Sequence, residues 1–395
     1  MASMSLSALW LAACSRDQPR APALDLGEAR PNNPVTLPIN NGNHPIADNL
    51  APEGDATLKI FNWAEYIRPR VVRAFAEKYD VEVQVTTFPN MDEALKVLHR
   101  GTDFDVLFLR VDVVGRLVQE GLLRPLNHSY IPNLEANVWP VYRNPFYDQG
   151  WRYTVPYTVY TTGIAWRIDH VDTDIASMSN PYDIFWDETY AGKINLFNDY
   201  REVVSMALLR NGVTDLNTSD PDALLQAGRD LMDLVDLVNR LDIDAYSNLP
   251  KGDAWVHQAY SGDMVAAPYY FPKGQDPSVV RYWAPPNGRG AVANDAIALL
   301  SGGRNPVLGH LFIDYLLDTD VSLDNYAWNG YQPPLQALDA GSLVKQGYVP
   351  DYLNGVPVQR QDFNRGFMQL ELDPRTDELW HRAYNGLAHA VRRQG

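Results

Sequence analysis

Thr57-Leu58-Lys59-Ile60-Phe61-Asn62-Trp63-Ala64-Glu65-Tyr66 reads in two halves. The first five residues form a strand-like apolar run. The next five crowd two aromatic rings around one carboxylate. Such a cluster suits a ligand with a positive head and an apolar body, because the carboxylate takes the charge while the rings cover methylenes and attract ammonium groups. Trp63 and Tyr66 as core residues, with Glu65 capping the helix that begins near Pro69, is the competing reading.

The residues downstream of this stretch set the fold class. Residues 69–79 carry a helical stripe of Val71, Val72, Phe75 and Ala76, and Val81-Glu82-Val83-Gln84-Val85 alternates as a half-buried strand should. These segments make one βαβ unit. The cycle repeats with a helix over 91–99, a buried strand over 104–109 and a helix over 113–119 that Gly121 ends. Strand-like runs at 151–157 and 162–166 lead into a second region with its own alternation. There the pattern predicts helices at 203–210 and 221–237, and strands at 193–197 and 264–267. An apolar strand at 296–300 and a helix at 306–317 come next. The class is α/β, with parallel strands and crossover helices in two lobes.

Ahead of Thr57, residues 15–56 are rich in Pro, Asn, Gly and Asp with no sustained apolar period, the composition of a flexible tether. The single cysteine, Cys14, excludes an internal disulfide and a multi-cysteine metal site. Its context, Leu11-Ala12-Ala13-Cys14, resembles the lipobox of bacterial lipoproteins and implies a signal segment over 1–13 with lipidation at Cys14, although Met1 to Ser5 lack the usual basic residues.

Composition narrows the function. The chain has 395 residues, 33 basic against 49 acidic, for a net charge of −16. That balance argues against nucleic-acid binding, which depends on neutralising phosphates with Lys and Arg. No apolar run reaches the ~18 residues a membrane-spanning helix needs. G-x-G-x-x-G is missing from the turn after the first strand, and G-x-x-x-x-G-K-[ST] and G-x-S-x-G do not occur. The eight His residues lack the spacing of zinc ligands, so no cofactor or metal is expected.

Acids and aromatics recur where strands end. Asn198-Asp199-Tyr200-Arg201-Glu202 follows one strand and opens a helix, so Asp199 and Glu202 either face a ligand together or form an N-cap with its capping box. Asp295 precedes the 296–300 strand, Tyr269-Tyr270 closes the 264–267 run, and Tyr331-Gln332 sits in a turn after Gly330. Paired acids beside aromatics also describe a glycosidase. Only their common placement at strand ends favours a binding cleft.

Taken together, Asn62-Trp63-Ala64-Glu65-Tyr66, Asp199-Tyr200-Arg201-Glu202-Val203, the Asp295 strand and Asp105-Val106-Leu107 through Glu120-Gly121-Leu122 resemble the spermidine/putrescine-binding proteins of bacterial ABC importers. The resemblance covers roughly residues 58–388. It implies a two-lobed periplasmic-binding-protein fold with discontinuous lobes and a hinge: 57–161 with 296–333 as one lobe, 162–295 with 334–395 as the other. It further implies a non-enzymatic importer component outside the cytoplasmic membrane that meets permease subunits and touches the membrane through a lipid anchor only. By the same match, Trp63, Glu65 and Tyr66 line one side, Asp199 and Glu202 hold amines from the other, and Asp295 receives another near the hinge. Tyr331 and Tyr270 correspond to pocket aromatics, and Gln369 to a glutamine contacting an amine. Asp112 stands where a tyrosine is expected, Ala64 where a hydroxyl residue is, and Ala293 in place of a stacking tryptophan. These departures leave the exact amine open, with another organic cation, such as an opine or quaternary amine, as the alternative ligand.

Lipidation gives a direct test: mass spectrometry of the protein from its native host is expected to find Cys14 as a diacylated N-terminus, and an unmodified, uncleaved chain would refute it.

Overall fold

The computed structural model describes residues 29–394 except 41 and 102. Cys14 and the proposed signal segment lie outside the described residues.

Among the described residues, ten strands form one continuous sheet. In chain order they are β1 (Thr57–Trp63), β2 (Glu82–Phe88), β3 (Val106–Arg110), β4 (Leu123–Arg124), β5 (Thr154–Arg167), β6 (Ile194–Leu196), β7 (Val238–Leu241), β8 (Val256–Tyr260), β9 (Val280–Trp283) and β10 (Ala291–Leu300). The order across the sheet is β2-β1-β3-β10-β5-β8-β6-β7, with β4 on β10 and β9 on β5. At each end the strands run parallel, β1 with β2 and β3, and β6 with β7 and β8. In the middle, β10 and β5 run antiparallel to their neighbours. The carboxyl ends of the parallel strands therefore face one another across the two central strands.

The inner parallel strands β1, β3, β6 and β8 have the sequence signature of burial on both faces, while the edge strands β2 and β7 are largely exposed. Leu58, Ile60, Val106 and Phe108 point to a core with Val71 and Phe75 of the helix Pro69–Tyr79 and Leu308 and Phe312 of the helix Pro306–Leu316. Phe61, Leu107 and Leu109 point the other way, onto Ala94, Leu95 and Leu98 of the helix Met91–His99. At the far end, Ile194, Leu196 and Val256 pack with Val203 and Val204 of the helix Tyr200–Arg210, Leu224 of the helix Pro221–Met232 and Trp380 of the helix Pro374–Gln394.

β5 joins the two regions. Its first half pairs with β10 and its second half with β8 and β9. The strand-like runs at 151–157 and 162–166 are thus largely one 14-residue strand that contains Pro156. Proline cannot donate to a ladder and is tolerated in strands at bulges. Here the register slips at Asp295/Ala296, whose partners are Thr158 and Pro156, so Tyr157 is the extra residue.

Two further expectations change. Residues 264–267 are not a strand: Met264 to Ala266 end the helix Ser261–Ala266, which is buried all round and so shows no amphipathic period. Nor does the described part of the 15–56 stretch hang free. Val35 and Leu37 are buried, Leu37 completely. Side chains hold the rest of this strap: Arg152 donates to the Leu37 carbonyl, Tyr153 to the Pro38 carbonyl, Asn40 to the Val118 carbonyl and Asn43 to the Leu123 carbonyl. The Glu53 carboxylate accepts the Val307 and Leu308 amides, capping the helix Pro306–Leu316. At the other end of the chain, residues 334–336 pair with 137–139, and Phe363 packs on Tyr142.

Leu37→Ala is expected to destabilise the protein by about 2–5 kcal/mol, the usual cost of a buried leucine truncation. Chemical denaturation checks it, and a change below about 0.5 kcal/mol would mean the strap is not part of the core.

Candidate ligand-binding site

Where the strand ends converge, one cavity is lined by Trp63, Glu65, Tyr66, Asp199, Tyr270, Asp295 and Tyr331 together with Arg110, Tyr160, Tyr246, Tyr260, Asp263, Trp328 and Asn329. Seven of the ten residues singled out from the sequence thus share this cavity. Its base is Asp295, which sits at the β10 bulge between Arg110 of β3 and Thr158 of β5. Tyr66 donates to one oxygen of Asp295 at 2.7 Å and Tyr160 to the other at 3.1 Å. Tyr66 is fixed in turn: Asn329 and the bulged Tyr157 each donate to its carbonyl at 2.8 Å. The bulge therefore aims a tyrosine at the backbone of the turn that carries the site.

A second acid, Asp263, faces the same space from the helix after β8. Tyr331 donates to it at 2.7 Å, and the Tyr260 amide at 3.3 Å. Close approach makes this contact possible. A Cβ on Gly262 would lie 2.6 Å from the Tyr331 ring, and Gly330 turns the chain into Tyr331 with φ +74° where a Cβ would meet the Gly262 carbonyl at 2.2 Å. The rings of Tyr66, Tyr160 and Tyr331 pack edge to face, with centroids 4.8 Å and 5.7 Å from Tyr331. Trp63 stands edge-on to Tyr66. At the mouth, Tyr270 reaches across to donate to Glu65 at 3.2 Å. Glu65 holds φ +54°, a left-handed conformation that is costly for a residue with a Cβ and is found preferentially at functional sites.

The other acids behave differently. Asp199 is an N-cap after all: one oxygen accepts the Arg201 and Glu202 amides, and the other accepts Arg110 at 2.9 Å. Asp112 is turned away from the cavity and takes the remaining Arg110 nitrogens at 2.8 and 3.2 Å. Glu202 is buried behind the cavity, beside Thr162, Tyr182 and Ser205, and its Oε2 has no hydrogen-bond partner among the described residues. Gln369 donates to Ser205 at 3.2 Å on that same side. Arg201 leaves the site altogether, binding the Leu370 and Leu216 carbonyls under Trp380.

Burial sets the charge state. Desolvation pushes Asp295 and Asp263 each up to about 7, with tyrosine hydroxyls pulling the other way, and Arg110 lowering Asp295 further. Glu202 is likewise pushed up to about 7, first by burial and then by the neighbouring Asp199.

Sequence reasoning misses Arg110 and Asp263. Both sit at or just past a strand end, as Trp63, Glu65 and Asp199 do. Arg110 closes β3, and Asp263 lies just past Tyr260, the last residue of β8, but is hidden when 264–267 is read as a strand.

Residues 70–347 match the bacterial extracellular solute-binding protein family. The chain belongs to that family, whose members bind solutes rather than transform them, so it is a binding protein and the glycosidase alternative falls. Among individual relatives it is similar to spermidine/putrescine-binding periplasmic protein 1 of Haemophilus influenzae, 26% identical over 66% of this chain and 70% of that protein. It is also similar to the putrescine/cadaverine-binding protein of Pseudomonas aeruginosa, 27% identical over 69% of this chain and 79% of that one. The TpPotD lipoprotein of Treponema pallidum shares the two-lobed fold with a TM-score of 0.70, at 21% identity over 84% of this chain and 99% of that one.

Carboxyls whose folded pKa is raised hold protons that the unfolded chain, with pKa values near 4, has already released. Stability contributed by this excess binding is present at low pH and lost as pH rises from about 4 through about 7. The melting temperature of the ligand-free protein is thus expected to fall between pH 5.5 and pH 8 in scanning calorimetry; a rise would contradict the burial of these acids.

Proposed function

We propose that the protein is the extracytoplasmic substrate-binding component of an ABC importer, capturing a polyamine of the putrescine/spermidine class and handing it unchanged to the permease. One observation carries the reading. Two buried carboxylates, Asp263 and Asp295, sit under tyrosine rings in a cleft whose mouth is bridged by Glu65 and Tyr270. An ammonium ~4 Å from one carboxylate gains on the order of 4 kcal/mol at an effective dielectric near 20, before desolvation is subtracted. One pair alone is marginal. Two amines spaced to meet two fixed acids bind together, and a chain of wrong length leaves a buried charge unpaired. The tyrosine and tryptophan faces cover the methylenes between.

Closure depends on the same placement. Trp63, Glu65 and Tyr66 extend from β1, whereas Asp263 and Tyr270 come after β8, and the strands between are β3, β10 and β5. Bending along β5 and β10 would bring the two sets onto a ligand. We place one lobe at 57–161 with 296 to about 363 and the other at 162–295 with the helix Pro374–Gln394. Packing of 334–363 against 137–142 supports a third crossing beyond Phe363, nearer the helix Pro374–Gln394, than at 333/334. The names of the relatives support both the ligand class and a place outside the cytoplasmic membrane, and a Cys14 lipid would keep the protein beside its permease.

Isothermal titration with putrescine, cadaverine, spermidine and spermine tests the ligand, and silence toward all four refutes it. Asp295→Asn is expected to weaken the bound amine by about 2–5 kcal/mol, as for a truncated buried charge pair. Because Asp263 and Asp295 must be ionised to pair, affinity is expected to rise from pH 6 to pH 8 with release of protons on binding. Titrations in buffers of different ionisation enthalpy measure that release, and a pH-independent affinity would remove both acids from the site.

A further inference from the structure

Resting on the amine-binding reading, we infer that Arg110 is a built-in substitute for one ligand ammonium, shortening the site so that it selects diamines over longer polyamines.

The observation is an ion pair inside the cleft. Arg110 ends β3 on one side, and Asp199 caps the helix Tyr200–Arg210 on the other. Both line the cavity, and their side chains are only 13% and 12% exposed. The guanidinium Nη1 donates to Asp199 at 2.9 Å, while Nε and Nη2 grip Asp112 from behind. Bidentate pairing with Asp112 fixes the fork, so the third nitrogen is aimed at Asp199 before any ligand arrives. What sets Asp199 apart from Asp263 and Asp295 is its partner: one oxygen accepts two backbone amides and the other is paired with the Arg110 cation.

A ligand ammonium that approaches Asp199 therefore meets an acid whose charge is already matched by a fixed cation beside it. Glu202, three residues on, does not replace it, because it lies buried behind the cavity rather than in its lining. The usable carboxylates are those of Asp263 and Asp295 inside and Glu65 at the rim. A diamine is satisfied by this end of the cleft. A third ammonium extended toward Asp199 would face the guanidinium, and like charge in a partly desolvated space excludes it. The pair also spans the cleft, doing permanently what an amine bridging the two sides would otherwise do on arrival.

Nor does the arginine advertise for an anion. Its charge is already matched by two carboxylates, so an ω-amino acid, which offers one ammonium and one carboxylate, gains nothing from it.

The test is the ratio of dissociation constants for spermidine and putrescine, read by isothermal titration of the full chain. The wild-type protein is expected to favour the diamine at least tenfold, and Arg110→Met to narrow or invert that ratio by tenfold or more by freeing Asp199. Should the lone substitution leave Asp112 unpaired and unfold the protein, Arg110→Met with Asp112→Asn removes the cation and its private partner together, and the same shift is expected. Wild-type protein that binds spermidine as tightly as putrescine overturns the inference, as does a ratio within twofold of wild type in the folded variant, and in both cases amine binding itself stands. Tighter binding of 5-aminopentanoate than of cadaverine overturns it too, showing Arg110 to be free for an anion. Silence toward every amine removes the reading beneath it instead.

Discussion

Everything in the cleft depends on a carboxylate that cannot be left alone. Asp295 is 4% exposed on a central strand, and a bare charge there would cost several kcal/mol. Two tyrosine hydroxyls make the position tenable, and each tyrosine requires its own support. Tyr66 is held through its carbonyl by Asn329 and Tyr157, Tyr157 is placed by a bulge, and the bulge accommodates a proline in the longest strand of the sheet. The irregularity of the backbone is thus coupled to a buried acid through two tyrosines. Removing the bulge would restore the ladder and misdirect the ring that steadies the acid's donor.

Charge in this site is arranged by neutralisation as much as by accumulation. The chain carries a net −16, yet its cleft contains an arginine, and of the acids drawn there only some face open space. Asp112 and Asp199 are consumed by Arg110, Glu202 is sealed behind, and Asp263 and Asp295 hold protons near neutrality. A count of carboxylates overstates the field a ligand meets. What a cation feels is set by which acids are left without a cation already paired to them.

The architecture was legible because buried parallel strands leave unmistakable apolar runs, as in Val106–Arg110, and because their crossover helices carry a clean 3.6-residue stripe. Trp63, Glu65 and Asp199 were legible by position, at or just past a strand end, whereas Asp295 lies inside β10 and Tyr270 and Tyr331 follow helices. Other features had no local signal. Arg110 is one polar residue closing an apolar run, and its second partner lies 89 residues away. The helix Ser261–Ala266 is short and buried on every side, so apolar content alone did not separate it from a strand. Glu202 carries the right chemistry at the right spacing, but one turn of helix carried it behind the wall. The 29–56 strap is held by scattered side-chain and backbone hydrogen bonds to distant segments, a mode of attachment that leaves no periodicity to read.

That strap has a bearing on how the molecule is made. It is synthesised well before the groups that fasten it, which come from Arg152 and Tyr153, 115 residues after their acceptors, and from Val307 and Leu308, some 254 residues after Glu53. Contacts so distant in sequence form slowly. The 37–43 part of the strap has its partners once residue 153 has emerged, but Glu53 meets its own only after Leu308, more than three quarters of the 395-residue polypeptide, so one short segment is secured in two stages far apart in synthesis.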